Sequence, residues 1–321
     1  MSTSYVDWLR KRVGTRKVFL PFTSVVVRDE NGCILLQKRT DFDLWGLPGG
    51  VLELDEDLHD CARRELREET GLEAGSLRLV GVYTDPRYDV TYPNGDQVQQ
   101  CTICFEGQVS GGHMRPDGVE SSDQAFLDPA NLDQYPIPLW YKDMIADAEQ
   151  NGPPAFKPPY AAEHTADQIG AVRPYIGMDL YSGIGASAII RREDGRILML
   201  QHVGESGWRP PAGFCDLGEN IAQTAVREVL EETGLQIEPQ SIISVHAAPK
   251  LNVVYPNGDL IRNVGVVFRA QIHSGSLNID NDEIAAAAWM TSEEILASVP
   301  ASRRWYYEQI VENLDSGYFV C

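Results

Sequence analysis

The chain has 321 residues, 43% of them hydrophobic, and a formal net charge of −20. At about 150 residues per domain, that length predicts two domains, each large enough to build its own core. The charge excludes nonspecific binding to nucleic acid, which needs a basic footprint, and it allows phosphate binding only where a divalent cation bridges the two negative partners.

Met1 to Arg16 is polar and mixed in charge, without the apolar stretch and small-residue cleavage site of a secretory signal. Phe22 to Val27 and Cys33 to Gln37 then read as a strand pair around the turn Asp29-Glu30-Asn31-Gly32. A helix is expected from near Glu56 to a glycine cap at Gly71. Strands follow over Leu77 to Tyr83 and Val98 to Val109, and a helix over Leu139 to Ala148. Asn151 to Tyr160 holds four prolines and a glycine, which excludes a helix or a central strand and predicts a stiff linker.

After the linker the series repeats. Strands are expected over Ala186 to Ile190, Arg196 to Leu200, Ile242 to Ala247 and Arg262 to Ile272. One helix starts near Glu219 and stops at Gly234, and a last helix covers Arg303 to Asn313. Trp45-Gly46-Leu47-Pro48-Gly49-Gly50 returns as Trp208-Arg209-Pro210-Pro211-Ala212-Gly213, an offset of 163 residues. Tyr92-Pro93-Asn94-Gly95-Asp96 returns unchanged at Tyr255 to Asp259, and Pro86, Glu120 and Phe126 match Pro249, Glu283 and Trp289 at the same offset. A constant offset of this length is a domain duplication. The expected division is residues 1–150, a linker over 151–172 and residues 173–321. Strands and helices in this order predict α/β/α layers around mixed sheets.

The chemistry concentrates in Gly50-x5-Glu56-x7-Arg64-Glu65-Leu66-x-Glu68-Glu69-x-Gly71 and its counterpart Gly213-x5-Glu219-x7-Arg227-Glu228-Val229-x-Glu231-Glu232-x-Gly234. Such a pattern arises by chance about once in 10⁸ starting positions, and here it occurs twice. On a helix, Glu65 and Glu69 point within about 40° of one another, one turn apart, with Glu68 beside them. Carboxylates this close repel and stay ionised together only beside a cation. Oxygen ligands select Mg²⁺, with Mn²⁺ as a substitute. Arg64 lies one turn from Glu68 and can pair with it. The alternative for each element alone is ordinary: charged i,i+4 pairs that solubilise a helix, and a glycine that only caps it.

Together the two segments resemble the signature of the Nudix hydrolase family, and loosely its ADP-ribose pyrophosphatase-like branch. The resemblance covers both repeats. It implies two Nudix α/β/α sandwiches in tandem and metal-dependent hydrolysis of a diphosphate linkage in a nucleotide-like small molecule such as ADP-ribose, a nucleotide sugar or a (d)NTP. It further implies Glu65, Glu69, Glu56 and the Gly50 carbonyl as metal ligands in the first copy. Glu228, Glu232, Glu219 and the Gly213 carbonyl take those places in the second, with Mg²⁺ ions neutralising the diphosphate and activating water. Glu68, Glu231, Arg64 and Arg227 would assist catalysis. A later loop often supplies the base or a further ligand. Glu120 and Glu283 are the candidates, against the reading that they are simply exposed loop acids.

For the rest of the substrate, Arg39 and Arg87 can pair with phosphate and Tyr83 and Tyr88 can stack on a base. The competing reading of that segment is a hairpin, and Asn94-Gly95 is expected to be its turn. Lys38-Arg39 aligns with Gln201-His202, so the second copy loses basic residues and the first is expected to be the more active. Two other functions stay open. One is a nucleotide-metabolite sensor on the same fold, though such proteins usually lose these glutamates and no basic helix-turn-helix region is present. The other is a catalytic copy with a structural partner, as a pseudo-dimeric monomer or within a homodimer.

No apolar run approaches the roughly 20 residues that cross a bilayer, so no membrane association is expected and the location is expected to be cytoplasmic. Six cysteines are scattered along the chain, which argues against a disulfide framework. Cys101 and Cys104 are expected on opposite faces of one strand, one in the core and one at the surface.

Overall fold

The computed structural model describes residues 4–115, 118, 120–205, 207–255 and 257–321, so Pro256 of the repeated motif lies outside the described residues. The first half runs α1 (Tyr5–Val13), β1 (Val18–Arg28), β2 (Ile34–Arg39), β3 (Trp45–Gly46), α2 (Leu58–Thr70) and β4 (Leu72–Ala74). It continues with β5 (Arg78–Tyr83), β6 (Val90–Thr91), β7 (Gln97–Gly112), β8 (Ser121–Leu127) and α3 (Leu139–Gln150). Next come β9 (Ala155–Phe156), β10 (Ala161–Asp167), α4 (Gln168–Ile176), β11 (Tyr181–Ile190), β12 (Ile197–His202), β13 (Ala212–Phe214) and β14 (Asp216–Glu219). The chain closes with α5 (Ile221–Thr233), β15 (Leu235–His246), β16 (Val253–Val254), β17 (Leu260–Gly275), β18 (Ile284–Met290), α6 (Ser292–Ser298), α7 (Ala301–Glu312) and β19 (Phe319–Val320).

The duplication is visible in strand register. β1 lies parallel to β7 with Val18 opposite Val98, and β11 lies parallel to β17 with Tyr181 opposite Ile261. β2 pairs antiparallel with β8, Ile34 opposite Leu127, and β12 pairs with β18, Ile197 opposite Met290. Each of these pairings maps onto the other at the 163-residue offset. The sheets are therefore mixed, with central strands buried on both faces, as the unbroken burial of Val25, Val26 and Val27 shows.

Three expectations change. The strand pair at the start of each copy barely pairs, since β1 meets β2 only at Arg28 and Ile34. The long partners β7 and β8 compete for those edges and offer far more hydrogen bonds. The segment 151–172, expected as a linker, carries β9 against β5, β10 against β14 and the start of α4. α4 is the counterpart of α1 at the repeat offset, and Arg10 and Arg173 pair equivalently with Asp96 and Asp259. Cys101 and Cys104 do face opposite ways, but both are buried, each in a different apolar cluster, because β7 is covered on both sides. All six cysteines are free.

α2 and α5 position the site. Asp57 caps the first turn of α2 by accepting from Asp60 N, and Asn220 does the same for α5 from Gln223 N. Gly71 and Gly234 end these helices in the left-handed region, with φ of 72° and 70°. Leu58, Cys61, Ala62 and Leu66 turn one face of α2 into the core, and Glu69 is buried on that same face, with Glu65 one turn before it. Among the described residues no helix is long and apolar enough to cross a membrane.

Candidate functional site

Arg64 is the hub of the first site. Its Nε and Nη2 donate to the two Glu56 oxygens at 2.9 and 2.6 Å. Its Nη1 donates to Glu65 at 2.6 Å and to Glu68 at 3.3 Å, and Nη2 reaches the Val51 carbonyl at 3.2 Å. One planar fork thus fixes three carboxylates and the loop before the helix, which a lysine could not do. Arg227 repeats the arrangement, donating to Glu219 at 2.8 and 3.0 Å, Glu228 at 2.7 Å, Glu231 at 3.1 Å and the Phe214 carbonyl at 2.8 Å.

Gly50 and Gly213 leave room for the leading glutamates. A Cβ at Gly50 would stand 2.4 Å from the Glu65 carboxyl carbon, and one at Gly213 would stand 2.0 Å from that of Glu228. Glu69 accepts from Gly49 N at 2.8 Å and Glu232 from Ala212 N at 3.0 Å. Both are buried beneath the site. Burial, reinforced by Glu120 and Glu68 and opposed by Arg64, pushes the Glu65 carboxyl up to about 7. Burial pushes Glu69 up to about 8, against the Gly49 N–H, and Glu228 up to about 7. Glu56 moves the other way, because the hydrogen bonds from Arg64 outweigh its burial.

A cleft of about 560 Å³ opens over the first site. It brings together Gly50, Arg64, Glu65, Glu68, Glu120 and Arg39 of the expected residues. Phe42, Tyr92, Trp140 and Tyr141 line its apolar side. Of these, Tyr92 belongs to the repeated Tyr-Pro-Asn-Gly-Asp motif. Trp140 and Tyr141 open α3, a helix whose relation to the site sequence alone does not show. Arg39 is held by Asp41 at 2.9 and 2.7 Å. Glu120 is anchored through its carbonyl, which accepts from Thr40 N at 2.9 Å; the Glu283 carbonyl accepts from Val203 N at 2.9 Å in the same manner.

Other expectations are not met. Tyr83 and Tyr88 are 1% and 2% exposed, in the core under α3, where their hydroxyls donate to Asp147 and Asp143. Neither can offer a ring face to a ligand. Arg87 stands outside the cleft, bound to Asp85 at 2.9 and 2.5 Å and 5.7 Å from the Tyr160 ring. The hairpin reading of Asn94-Gly95 holds, with Gly95 N on the Tyr92 carbonyl at 2.8 Å and φ of 89° at Gly95. In the second copy His202, aligned with Arg39, places Nε2 3.2 Å from Glu232.

The NUDIX domain model matches residues 19–148 and again 182–313. The chain belongs to the NUDIX family of hydrolases. This NUDIX chain is 34% identical over 114 residues to a protein of Bacillus subtilis (strain 168) provisionally named an 8-oxo-dGTP diphosphatase, covering 36% of this chain and 70% of that one. It is 31% identical over 109 residues to an ADP-ribose pyrophosphatase of Methanocaldococcus jannaschii, covering 34% and 60%. The chain spans half the length of another relative, nucleoside diphosphate-linked moiety X motif 6 of Xenopus laevis, at 31% identity over 112 residues and 34% of this chain. Among solved structures, an ADP-ribose pyrophosphatase from Streptococcus suis 89-1591 matches at 23% identity and a TM-score of 0.35, covering 44% of this chain and 98% of that one.

Proposed function

We propose that this NUDIX chain hydrolyses a diphosphate linkage in a nucleoside-diphosphate-linked small molecule, by attack of water on phosphorus and with Mg²⁺ or Mn²⁺ as cofactor. The observation that carries the reading is the glutamate cluster on Arg64 at the floor of a cleft with an aromatic wall. Bound divalent metal would neutralise the diphosphate and lower the pKa of the attacking water.

The donor set fits such an ion. Glu65, Glu69, Glu56 and the Gly50 carbonyl would hold it in the first copy, and Glu228, Glu232, Glu219 and the Gly213 carbonyl in the second. All are oxygen donors, which suits Mg²⁺ and Mn²⁺. Among the described residues no three His, Cys, Asp or Glu side chains stand close enough to share one ion as placed. Each is held elsewhere: Glu56 and Glu65 rest on Arg64, and Glu69 rests on the Gly49 N–H. Arg64 orients the carboxylates, and Glu68 shares its fork. Glu120 is the candidate to take a proton from water in the first copy, and Glu283 in the second. Phe42, Tyr92 and Trp140 offer stacking area for a base, and Arg39 a positive charge for phosphate.

The test is a panel of ADP-ribose, nucleotide sugars, (d)NTPs, dinucleoside polyphosphates and NADH with Mg²⁺ or Mn²⁺, the products separated by ion exchange. Metal-dependent cleavage of one class is expected. Folded chain that binds metal but cleaves nothing in the panel would instead favour a ligand-binding role.

A further inference from the structure

Each copy reaches into the other just ahead of its glutamate helix. Gln99, on β7, is fully buried; its Nε2 donates to the Glu219 carbonyl at 2.7 Å and its Oε1 accepts from Gly218 N at 2.7 Å. Arg262, on β17, is the counterpart of Gln99 at the repeat offset and is equally buried. Its guanidinium donates to the carbonyls of Leu54 and Glu56 in the first copy, and to that of Ala247 in its own at 2.6 Å. One crossing is neutral. The other puts a cation under the loop that carries Glu56.

A buried cation is costly, and among the described residues Arg262 has no hydrogen bond to a carboxylate to offset it. A contact needed only to join two domains is met by glutamine, as the opposite crossing shows. Arginine adds reach to two carbonyls of one turn and a charge facing Asp55, Glu56 and Asp57. The path from there to the site is short. The Glu56 carbonyl rests on Arg262 and its carboxylate rests on Arg64, which holds Glu65 and Glu68. We propose that Arg262 is a positioning residue for the first site, a side chain of the second copy that sets the Leu54–Glu56 turn and through it the Arg64 fork. The inference rests on the reading of that site as metal-binding. It makes the second copy a working part of the first site, and makes the dependence unequal in the two directions.

The test uses the full chain carrying Glu228→Gln and Glu232→Gln, so that Mn²⁺ uptake, read from the EPR signal of the free ion, reports the first site. Arg262→Gln is expected to weaken Mn²⁺ binding about tenfold or more. Arg262→Lys, which keeps the charge but lacks the fork, is expected to lose less. Gln99→Leu, which damages the interface on the other side, is expected to leave first-site affinity unchanged. Parental affinity in folded Arg262→Gln or Arg262→Lys would overturn the proposal. So would an equal loss in Gln99→Leu, which would mean general loosening, or failure of both Arg262 variants to fold, which would make the residue an anchor. A parent chain that takes up no Mn²⁺ at the first site would sink the metal reading itself, and this inference with it.

Discussion

A single methyl group is enough to test the first site. Gly50→Ala would drive a Cβ against the Glu65 carboxyl, 2.4 Å away, the far end of a side chain that can move aside without disturbing the backbone. Folding is expected to survive, with Tm changed by a few degrees, while metal-dependent turnover from the first site falls by about tenfold or more. Circular dichroism melts beside kinetics on the Glu232→Gln background check both halves. A second residue-scale prediction concerns acid. His246 is buried with Nδ1 2.9 Å from the Tyr306 hydroxyl, and its burial, helped by the Arg303 charge, pushes its pKa down to about 4. The unfolded chain holds that proton with a pKa of about 6.5, so it binds more protons than the folded chain between those values. The contribution of His246 to stability is therefore lost as pH falls from about 6.5 to about 4, by up to about 3 kcal/mol, while the raised carboxyls of Glu65, Glu69 and Glu228 act in the opposite sense. Urea melts of the parent and of His246→Gln from pH 7.5 to 4.5 isolate the contribution of His246: the parent's stability relative to the variant is expected to fall as pH falls.

The glutamates keep their places because α2 is anchored by the apolar residues that flank them. Leu66 is one of these and fully buried, and Leu66→Ala is expected to cost about 2–5 kcal/mol through lost burial and the cavity left behind. Chemical denaturation measures it; a loss below about 1 kcal/mol would mean the helix is held by its caps instead. At this scale the sequence was easy to read. Gly71 and Gly234, and glutamates at helical spacing, are local signals whose meaning does not depend on distant packing. Tyr83 and Tyr88 were misread for the opposite reason. An aromatic ring after a strand looks the same whether it faces a ligand or α3, and only the position of α3 decides.

At the scale of the whole molecule, the two sites share one framework but not one cleft. The first has Arg39 in its cleft, where the second has His202 against Glu232. Glu69→Gln is expected to remove most turnover and Glu232→Gln to leave most of it, measured as kcat on the panel's best substrate. The reverse ranking would assign the activity to the second copy. The duplication itself was plain from the constant offset, but its extent was not. Arg10 and Gly14 match Arg173 and Gly177 at that same offset, a signal that would have moved the second copy's start to α4. The crossing by Arg262 carried a fainter sign. It is a polar residue that aligns with another polar residue near the start of a strand, and its contacts lie 206 and 208 residues away in sequence.

The short strand β9 has a consequence for how this molecule behaves in a crowd. It closes the outer side of β5, and Pro153, Pro154, Pro158 and Pro159 flank it. A proline has no N–H to offer, so a stray strand from another molecule finds few donors along that border. The proline-rich stretch thus acts as a guard against edge-to-edge aggregation, placed where the first sheet would otherwise have offered a template.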